Sequence, residues 1–307
     1  MISIIIPVYN EEKNIQLLYR ALKEQCKKLS LKYELLFVDD GSSDNSFREI
    51  RKLTHSNKSV KFFQHRKRSG KGRALQTGLD ASRGSVIVFI DADLQNDPRD
   101  LGKFLQKIHE GYDVVNGYRK KRKDAIYKTL PSKIYNRVII PLLFKTKLHD
   151  INCGFKAIRR EVFKSIQLYG DNYRILPLLA QHEGYRVTEI EITHHRRRFG
   201  VSKFGFWRMF FGFFDVLGLF FLLHFVEKPL HFFGALGSFL LSCGVLVLLY
   251  LGLLRIVYGY LLYRRPILFL GMLLVIVGVQ IIATGFIGEL MVYLHKNHES
   301  DSRPHHR

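Results

Sequence analysis

Asp91 and Asp93 stand one residue apart, directly after the apolar run Val86-Ile87-Val88-Phe89-Ile90. That run reads as a strand buried on both faces of a sheet. In extended chain an i, i+2 pair projects to one side, with Ala92 turned away. Two hard carboxylates at the carboxyl end of a buried strand suit Mg²⁺ or Mn²⁺ bound jointly with a diphosphate. An isolated Asp-X-Asp more often opens a surface loop, with Asp93 or Asp97 capping the helix after Pro98; the neighbouring sequence favours the metal. Two further strand ends carry polar clusters, Tyr9-Asn10-Glu11 and Asp39-Asp40-Gly41-Ser42-Ser43-Asp44. The loop Arg66-Lys67-Arg68-Ser69-Gly70-Lys71-Gly72 offers backbone N–H groups and an ammonium to phosphate. It lacks the Walker spacing and reads equally as a solvated turn.

The elements that must position these residues alternate. Residues 2–7, 33–38, 60–64, 85–90 and 113–116 read as strands, and residues 11–29, 46–55, 71–81 and 98–109 as helices. This repetition predicts an α/β domain with a mainly parallel, doubly wound sheet. Ligands of such sheets sit outside the carboxyl ends of the strands, where the polar clusters fall. Residues 175–182 read as a further helix, and the alternation over residues 185–193 as a last strand. His194 and His195 follow; as neighbours on extended chain they face opposite ways, which favours a structural or acceptor-side role over metal ligation.

The composition then changes. Residues 232–254 and 267–288 carry no charge, and each stretch is long enough to cross a hydrocarbon core of roughly 30 Å. A mean hydropathy near zero therefore averages a polar front and an apolar back. Residues 3–6 are too short an apolar run for a secretory leader and are expected as a strand. Residues 204–226 mix many Phe and Trp207 with Arg208 and Asp215, which favours interfacial helices over a third span. The expected division is a catalytic domain over 1–203, interfacial helices over 204–229, a hairpin over 230–295 (spans about 231–254 and 267–290) and a polar tail over 296–307. Gly234, Gly237, Gly271 and Gly278 allow close packing within the hairpin, and Glu289 is expected at the interface. Arg255, Arg264 and Arg265 would fall in the outer loop, against the usual charge bias. The basic front domain outweighs them and places that domain and the tail in the cytoplasm, at the inner membrane.

A net charge of +21, with dense runs at 119–123 and 196–198, points to anionic lipid and phosphorylated substrates. Nucleic acid is disfavoured, because the basic runs lack interleaved aromatic residues. Three cysteines without paired or metal-type spacing fit a reduced compartment.

The ordered set Pro7-Val8-Tyr9-Asn10-Glu11, Val38-Asp39-Asp40-Gly41-Ser42-Ser43-Asp44, Gly70-Lys71-Gly72-Arg73-Ala74 and Asp91-Ala92-Asp93-Leu94-Gln95 resembles family-2 glycosyltransferases of the GT-A fold. Asn116-Gly117-Tyr118-Arg119, Asp150-Ile151-Asn152-Cys153-Gly154-Phe155-Lys156 and Arg198-Phe199-Gly200-Val201-Ser202-Lys203 are similar to the polyprenyl-phosphate branch. That branch includes dolichyl-phosphate mannose synthases and bacterial undecaprenyl-phosphate sugar transferases. The resemblance implies that Pro7, Tyr9, Glu11 and Asp39 frame the nucleotide and that Lys71 lies near its diphosphate. It implies that Asp91, Asp93 and Gln95 hold the metal. Arg119 and Ser132 would face the acceptor phosphate, and Arg198 and Lys203 would close over both phosphates. Lys128 and Lys156 stand where relatives often have Arg, and lysine cannot form a bidentate fork to phosphate. Arg174 stands where relatives begin an active-site helix. Such enzymes can also associate through their membrane hairpins.

The implied reaction fits the residue types. A departing diphosphate needs a metal and cations. A lipid monophosphate, largely dianionic at neutral pH, needs no general base. The expected activity is an inverting transfer of glucose, mannose or N-acetylhexosamine from a UDP- or GDP-linked donor to a membrane polyprenyl phosphate. The alternatives are another lipid or polysaccharide acceptor, or a non-catalytic lipid-phosphate-binding membrane module. Processive synthases of this superfamily usually show Gln-X-X-Arg-Trp; here Gln181 is followed by no Arg-Trp pair.

Overall fold

A computed structural model of the 307-residue chain describes residues 1–120, 141, 144, 146–168, 170–196, 218, 220–221, 225, 228–259 and 266–301. The chain divides into two compact units, Met1–Met209 and Phe210–Arg307.

In the first unit β1 (Ile2–Val8), β2 (Tyr33–Asp39), β3 (Val60–Gln64) and β4 (Val86–Phe89) pair in parallel, in the order β3-β2-β1-β4. The helices between them are α1 (Glu12–Lys28), α2 (Ser46–Ser56) and α3 (Lys71–Ala81). A 3₁₀ turn (Pro98–Asp100) and α4 (Leu101–His109) lead to β5 (Val114–Tyr118). Residues 98–109 thus form two pieces where the sequence predicts one helix, because Asp97 caps the 3₁₀ turn through Arg99 N–H at 3.0 Å. The strand β6 (Lys156–Arg159) was not predicted. It lies antiparallel between β4 and β5 and completes the order β6-β5-β7, with β7 (Val187–Glu191) parallel to β5. Four residues that begin with Lys156 and end with Arg159 show no readable period; the slot between two buried strands makes them a strand. Helix α5 (Leu176–His182) precedes β7.

Both faces of the sheet are covered, which is why the strand sequences are almost continuously apolar. Ile2, Ile4, Ile6 and Val8 pack with α1, α2 and α4, whereas Ile5, Leu36 and Phe89 pack with α3 and α5. The register sets the carboxyl ends of β1, β2 and β4 side by side, through Val8↔Asp39 and Ile5↔Phe89. Because β6 runs the other way, its first residue meets the same edge: Phe89↔Lys156 and Asn116↔Lys156. One sheet edge therefore gathers residues from β1, β2, β4, β5 and the start of β6.

The second unit contains α6 (Pro229–Tyr258) and α7 (Pro266–Asp301). Both are long and apolar enough to cross a membrane, α7 over Pro266–Leu294. They extend beyond the spans expected from the uncharged stretches. Arg255 belongs to the last turn of α6, not to a loop, and its Nη1 donates to Gly259 O at 3.1 Å. Gly237, Gly244, Gly271 and Gly278 let the two helices touch: a Cβ at Gly278 would lie 2.7 Å from Leu241 N, and one at Gly244 2.8 Å from Gly271 O. Gly234 takes no part, since a Cβ there meets only Leu230, at 3.7 Å or more. Glu289 accepts from Leu230 N–H at 3.3 Å and so satisfies the first turn of α6. Most of the expected interfacial segment lies outside the described residues.

Candidate active site

Strand β4 ends at Phe89, and Asp91 leads into the turn that holds Asp93, so strand alternation does not set their directions. Gln95 N–H donates to Asp93 Oδ1 at 3.1 Å, and Leu94 between them adopts φ +58°. For a leucine that left-handed conformation costs about 1–2 kcal/mol, so it persists only where the surroundings hold it.

Asp91 is the centre of a charged cluster. Lys71, the first residue of α3, pairs with its carboxylate through Nζ. Burial works to raise the Asp91 carboxyl, but Lys71, Arg119 and Lys156 outweigh it and lower it. Burial likewise pulls the Lys71 ammonium down, and Asp91 reverses this and raises it. A Cβ at Gly154 would collide with the Asp91 carboxylate, so any larger residue there would displace that side chain. Lys71 Nζ also lies 5.1 Å from the centre of the Tyr173 ring. Arg174 lies over the same ring at 5.6 Å and pairs with Asp171 at 2.7 Å.

Arg119, at the end of β5, holds Asp150 in a two-pronged contact, Nε to Oδ2 at 2.6 Å and Nη2 to Oδ1 at 2.9 Å. Asn116 donates to Asp150 O at 2.7 Å and accepts from Lys156 Nζ at 2.6 Å. Lys156 donates further to Ile151 O at 2.9 Å, and burial pulls its ammonium down to about 8. These contacts fix the 150–154 loop against Asp91.

At the β1 and β2 ends, Asp39 is fully buried and accepts from Ser42 N–H at 3.0 Å and Gln64 Nε2 at 3.3 Å. Pro7 is the penultimate residue of β1 and is half-buried. Arg68 lies 4.4 Å over the Tyr9 ring. Glu11 accepts from Asn14 Nδ2 at 2.6 Å and donates its N–H to Ser46 Oγ at 2.8 Å. Asp40 shapes the basic loop: it accepts from Ser69 and Gly70 N–H, each at 2.8 Å, and lies 2.9 Å from His65 Nδ1.

The structure thus brings Asp91, Lys71, Arg119 and Lys156 together and gathers Tyr9 and Asp39 at the same sheet edge. Lys128, Ser132, Arg198 and Lys203 lie outside the described residues. Sequence reasoning missed the contributions of Arg68, Asp150, Gly154 and Tyr173. Arg68 sits in the basic loop 66–72, and Asp150 and Gly154 sit in a stretch that the resemblance had marked, but no sequence signal tied Tyr173 to Lys71.

Among the described residues no three His, Cys, Asp or Glu side chains cluster as a metal cage. Asp91, Asp93 and the Gln95 amide are hard oxygen donors at the mouth of one turn. That set fits a cation which keeps water and takes its other ligands from phosphate oxygens, as Mg²⁺ does.

The comparisons give the class of this domain, a glycosyltransferase. Residues 3–167 match the model for glycosyl transferase family 2, and the chain belongs to that family. A dodecaprenyl-phosphate galacturonate synthase from Rhizobium johnstonii is 33% identical over 295 residues, covering 94% of this chain and 87% of the relative. An undecaprenyl-phosphate 4-deoxy-4-formamido-L-arabinose transferase from Proteus mirabilis is 32% identical over 292 residues, with the same coverage. The fold is GT-A-like. Glucosyl-3-phosphoglycerate synthase from Mycobacterium tuberculosis, crystallised with phosphoglyceric acid, superposes with TM-score 0.52 at 19% identity over 72% of this chain and 75% of that one. The same enzyme with Mn²⁺, uridine diphosphate and phosphoglyceric acid gives 0.50 at 22% identity over 64% and 71%.

Proposed function

We propose that this chain is a membrane-anchored, metal-dependent glycosyltransferase that moves a sugar from a UDP- or GDP-linked donor to a polyprenyl phosphate with inversion. The observation that carries the reading is the gathering of Lys71, Arg119 and Lys156 around Asp91, in a chain that also has two helices long enough to cross a membrane. The relatives named for dodecaprenyl and undecaprenyl phosphate support the acceptor class, and the Mn²⁺ of a structural neighbour supports divalent metal use.

In this reading Pro7, Tyr9, Glu11 and Asp39 frame the nucleotide, and Lys71 sets its ammonium beside the diphosphate. A Mg²⁺ or Mn²⁺ ion held by Asp91, Asp93 and Gln95 would offset the charge growing on the leaving group. Arg119, oriented by Asp150, binds the acceptor phosphate with Lys128, Ser132, Arg198 and Lys203. A phosphate oxygen of the lipid bonds to the anomeric carbon as the bond to the diphosphate oxygen breaks, and the electron pair leaves with the nucleoside diphosphate. With a second pKa of about 6 the acceptor is already dianionic, and no protein base or nucleophile is required. Residues 1–203 form the catalytic domain on the cytoplasmic side, 204–229 lie at the interface, 230–295 form the hairpin and 296–307 the tail.

The test uses detergent-solubilised protein with Mg²⁺ or Mn²⁺ and undecaprenyl phosphate. Glucose, mannose and N-acetylglucosamine donors are offered separately, together with the galacturonate and formamidoarabinose donors that the relatives' names add. Mass spectrometry should find one glycosylated lipid, absent with Asp93→Asn. Nucleotide release without glycosylated lipid would overturn the acceptor. Lipid phosphate binding without turnover on any donor would favour the binding-module alternative.

A further inference from the structure

Residues 193–195, which follow β7, run beside the Asp93–Gln95 turn and the 3₁₀ turn after it. His195 N–H donates to Gln95 O at 2.8 Å, and Asn96 and His194 form an antiparallel bridge. Asp97 N–H donates to Thr193 O at 3.4 Å, and Thr193 N–H donates to Asp100 Oδ2 at 2.7 Å. The imidazole closes the contact: His195 Nε2 lies 3.1 Å from Asp97 Oδ2, a carboxylate only 8% exposed. Asp97 also takes the Arg99 backbone N–H and guanidinium at 2.6–3.0 Å. The segment is thus bonded to the Gln95 carbonyl, to Asn96 and Asp97, and to Asp100 in the 3₁₀ turn that follows. What it braces is a strained point of the site, Leu94 at φ +58° between Asp93 and Gln95, two of the three proposed metal-binding residues.

We propose that residues 193–195 clamp the left-handed Leu94 turn, with His195 and Asp97 as positioning residues that hold Asp93 and Gln95 at one fixed separation. A leucine stays left-handed only while its neighbours over-determine the backbone. Gln95 is held by one local bond to Asp93 and one long-range bond from the His195 backbone N–H, and the imidazole contact with Asp97 holds that backbone in place. Release of the clamp lets the turn relax toward a right-handed conformation, which moves the Gln95 amide away from Asp93. This inference rests on the metal reading for its consequence, but the bracing of the turn can be tested without any metal.

The experiment compares full-length wild type, His195→Ala and His195→Gln in detergent. Glutamine keeps an N–H for Asp97. Amide hydrogen exchange over residues 91–98 should quicken about tenfold in His195→Ala and return toward wild type in His195→Gln, while the core strands stay unchanged. Unchanged exchange over that turn would overturn the clamp. Mn²⁺ affinity in the presence of UDP or GDP should fall about tenfold in His195→Ala, with kcat falling alongside and KM for undecaprenyl phosphate within about twofold of wild type. A rise in lipid KM alone would make His195 an acceptor-side residue and overturn the proposal. A lowered melting temperature with faster exchange throughout the domain, not recovered by glutamine, would reduce it to a folding contact and overturn it too. If wild type binds no Mn²⁺ with either nucleotide, the metal reading fails, and the exchange comparison still decides the clamp.

Discussion

Lys156 opens β6 in a position that favours its neutral form. It is 1% exposed, donates to Asn116 and Ile151, and has its ammonium pulled down to about 8 by burial. Below pH 8 the folded and unfolded chains both hold the proton, and the fold bears the full cost of a buried cation. Between pH 8 and the unfolded value near 10.5 only the unfolded chain holds it, so the contribution of Lys156 to stability should rise with pH across that window by about 3 kcal/mol. Denaturation of wild type and Lys156→Met at a series of pH values checks this, because the stability difference between them should change by that amount across the window. Asp150 is the other residue whose role the structure reveals. Removing it with Asp150→Ala breaks a largely buried two-pronged pair, which costs about 3 kcal/mol and lowers the melting temperature. If Arg119 binds the acceptor phosphate, the same variant should raise KM for undecaprenyl phosphate about tenfold while leaving donor KM unchanged. Equal losses on both substrates would count against that role.

At the scale of elements, α6 and α7 meet along a seam of glycines. Gly237 and Gly244 are seven residues apart on α6, and Gly271, Gly278 and Gly285 repeat the interval on α7. A seven-residue repeat keeps one stripe facing the partner, and glycine there lets the backbones approach. Gly278→Leu would drive a side chain into Leu241 N and Gly237 O, and overpacking of this kind costs about 2 kcal/mol or more. Gly234→Leu, which faces open space apart from Leu230, serves as the matched control and should be tolerated. Thermal denaturation in detergent reads both.

At the scale of the molecule, the expected membrane arrangement is a hairpin with both ends in the cytoplasm. The native cysteines make this easy to test. Cys26 and Cys153 are buried, with the Cys26 thiol pushed up to about 12 by burial, and Cys243 lies within α6. A membrane-impermeant maleimide applied to intact bacterial cells should label Tyr258→Cys, exposed at the end of α6, and should reach Ser302→Cys only after permeabilisation. The reverse pattern would turn the enzyme outward and remove its access to cytoplasmic nucleotide sugars.

Sequence alone determined the parts that rest on local order. The parallel strands, the helices between them and the two uncharged spans follow from periodicity and length, and the polar clusters at strand ends follow from chain direction. The ordered set of stretches also pointed to the family. The tertiary structure decided everything that depends on which distant residues meet. Strand β6 is too short and too charged to announce itself, yet it delivers Lys156 to the edge because it is the strand that fits between β4 and β5. Tyr173 reaches Lys71, and Asp150 reaches Arg119, across 102 and 31 residues of chain. Leu94 is likewise left-handed in a turn whose following residues are hydrogen-bonded by a segment about a hundred residues away, and strand alternation does not set it. Local propensity acts within a few residues, whereas the geometry of this site is fixed by hydrogen bonds and ion pairs that exist only once the sheet has closed.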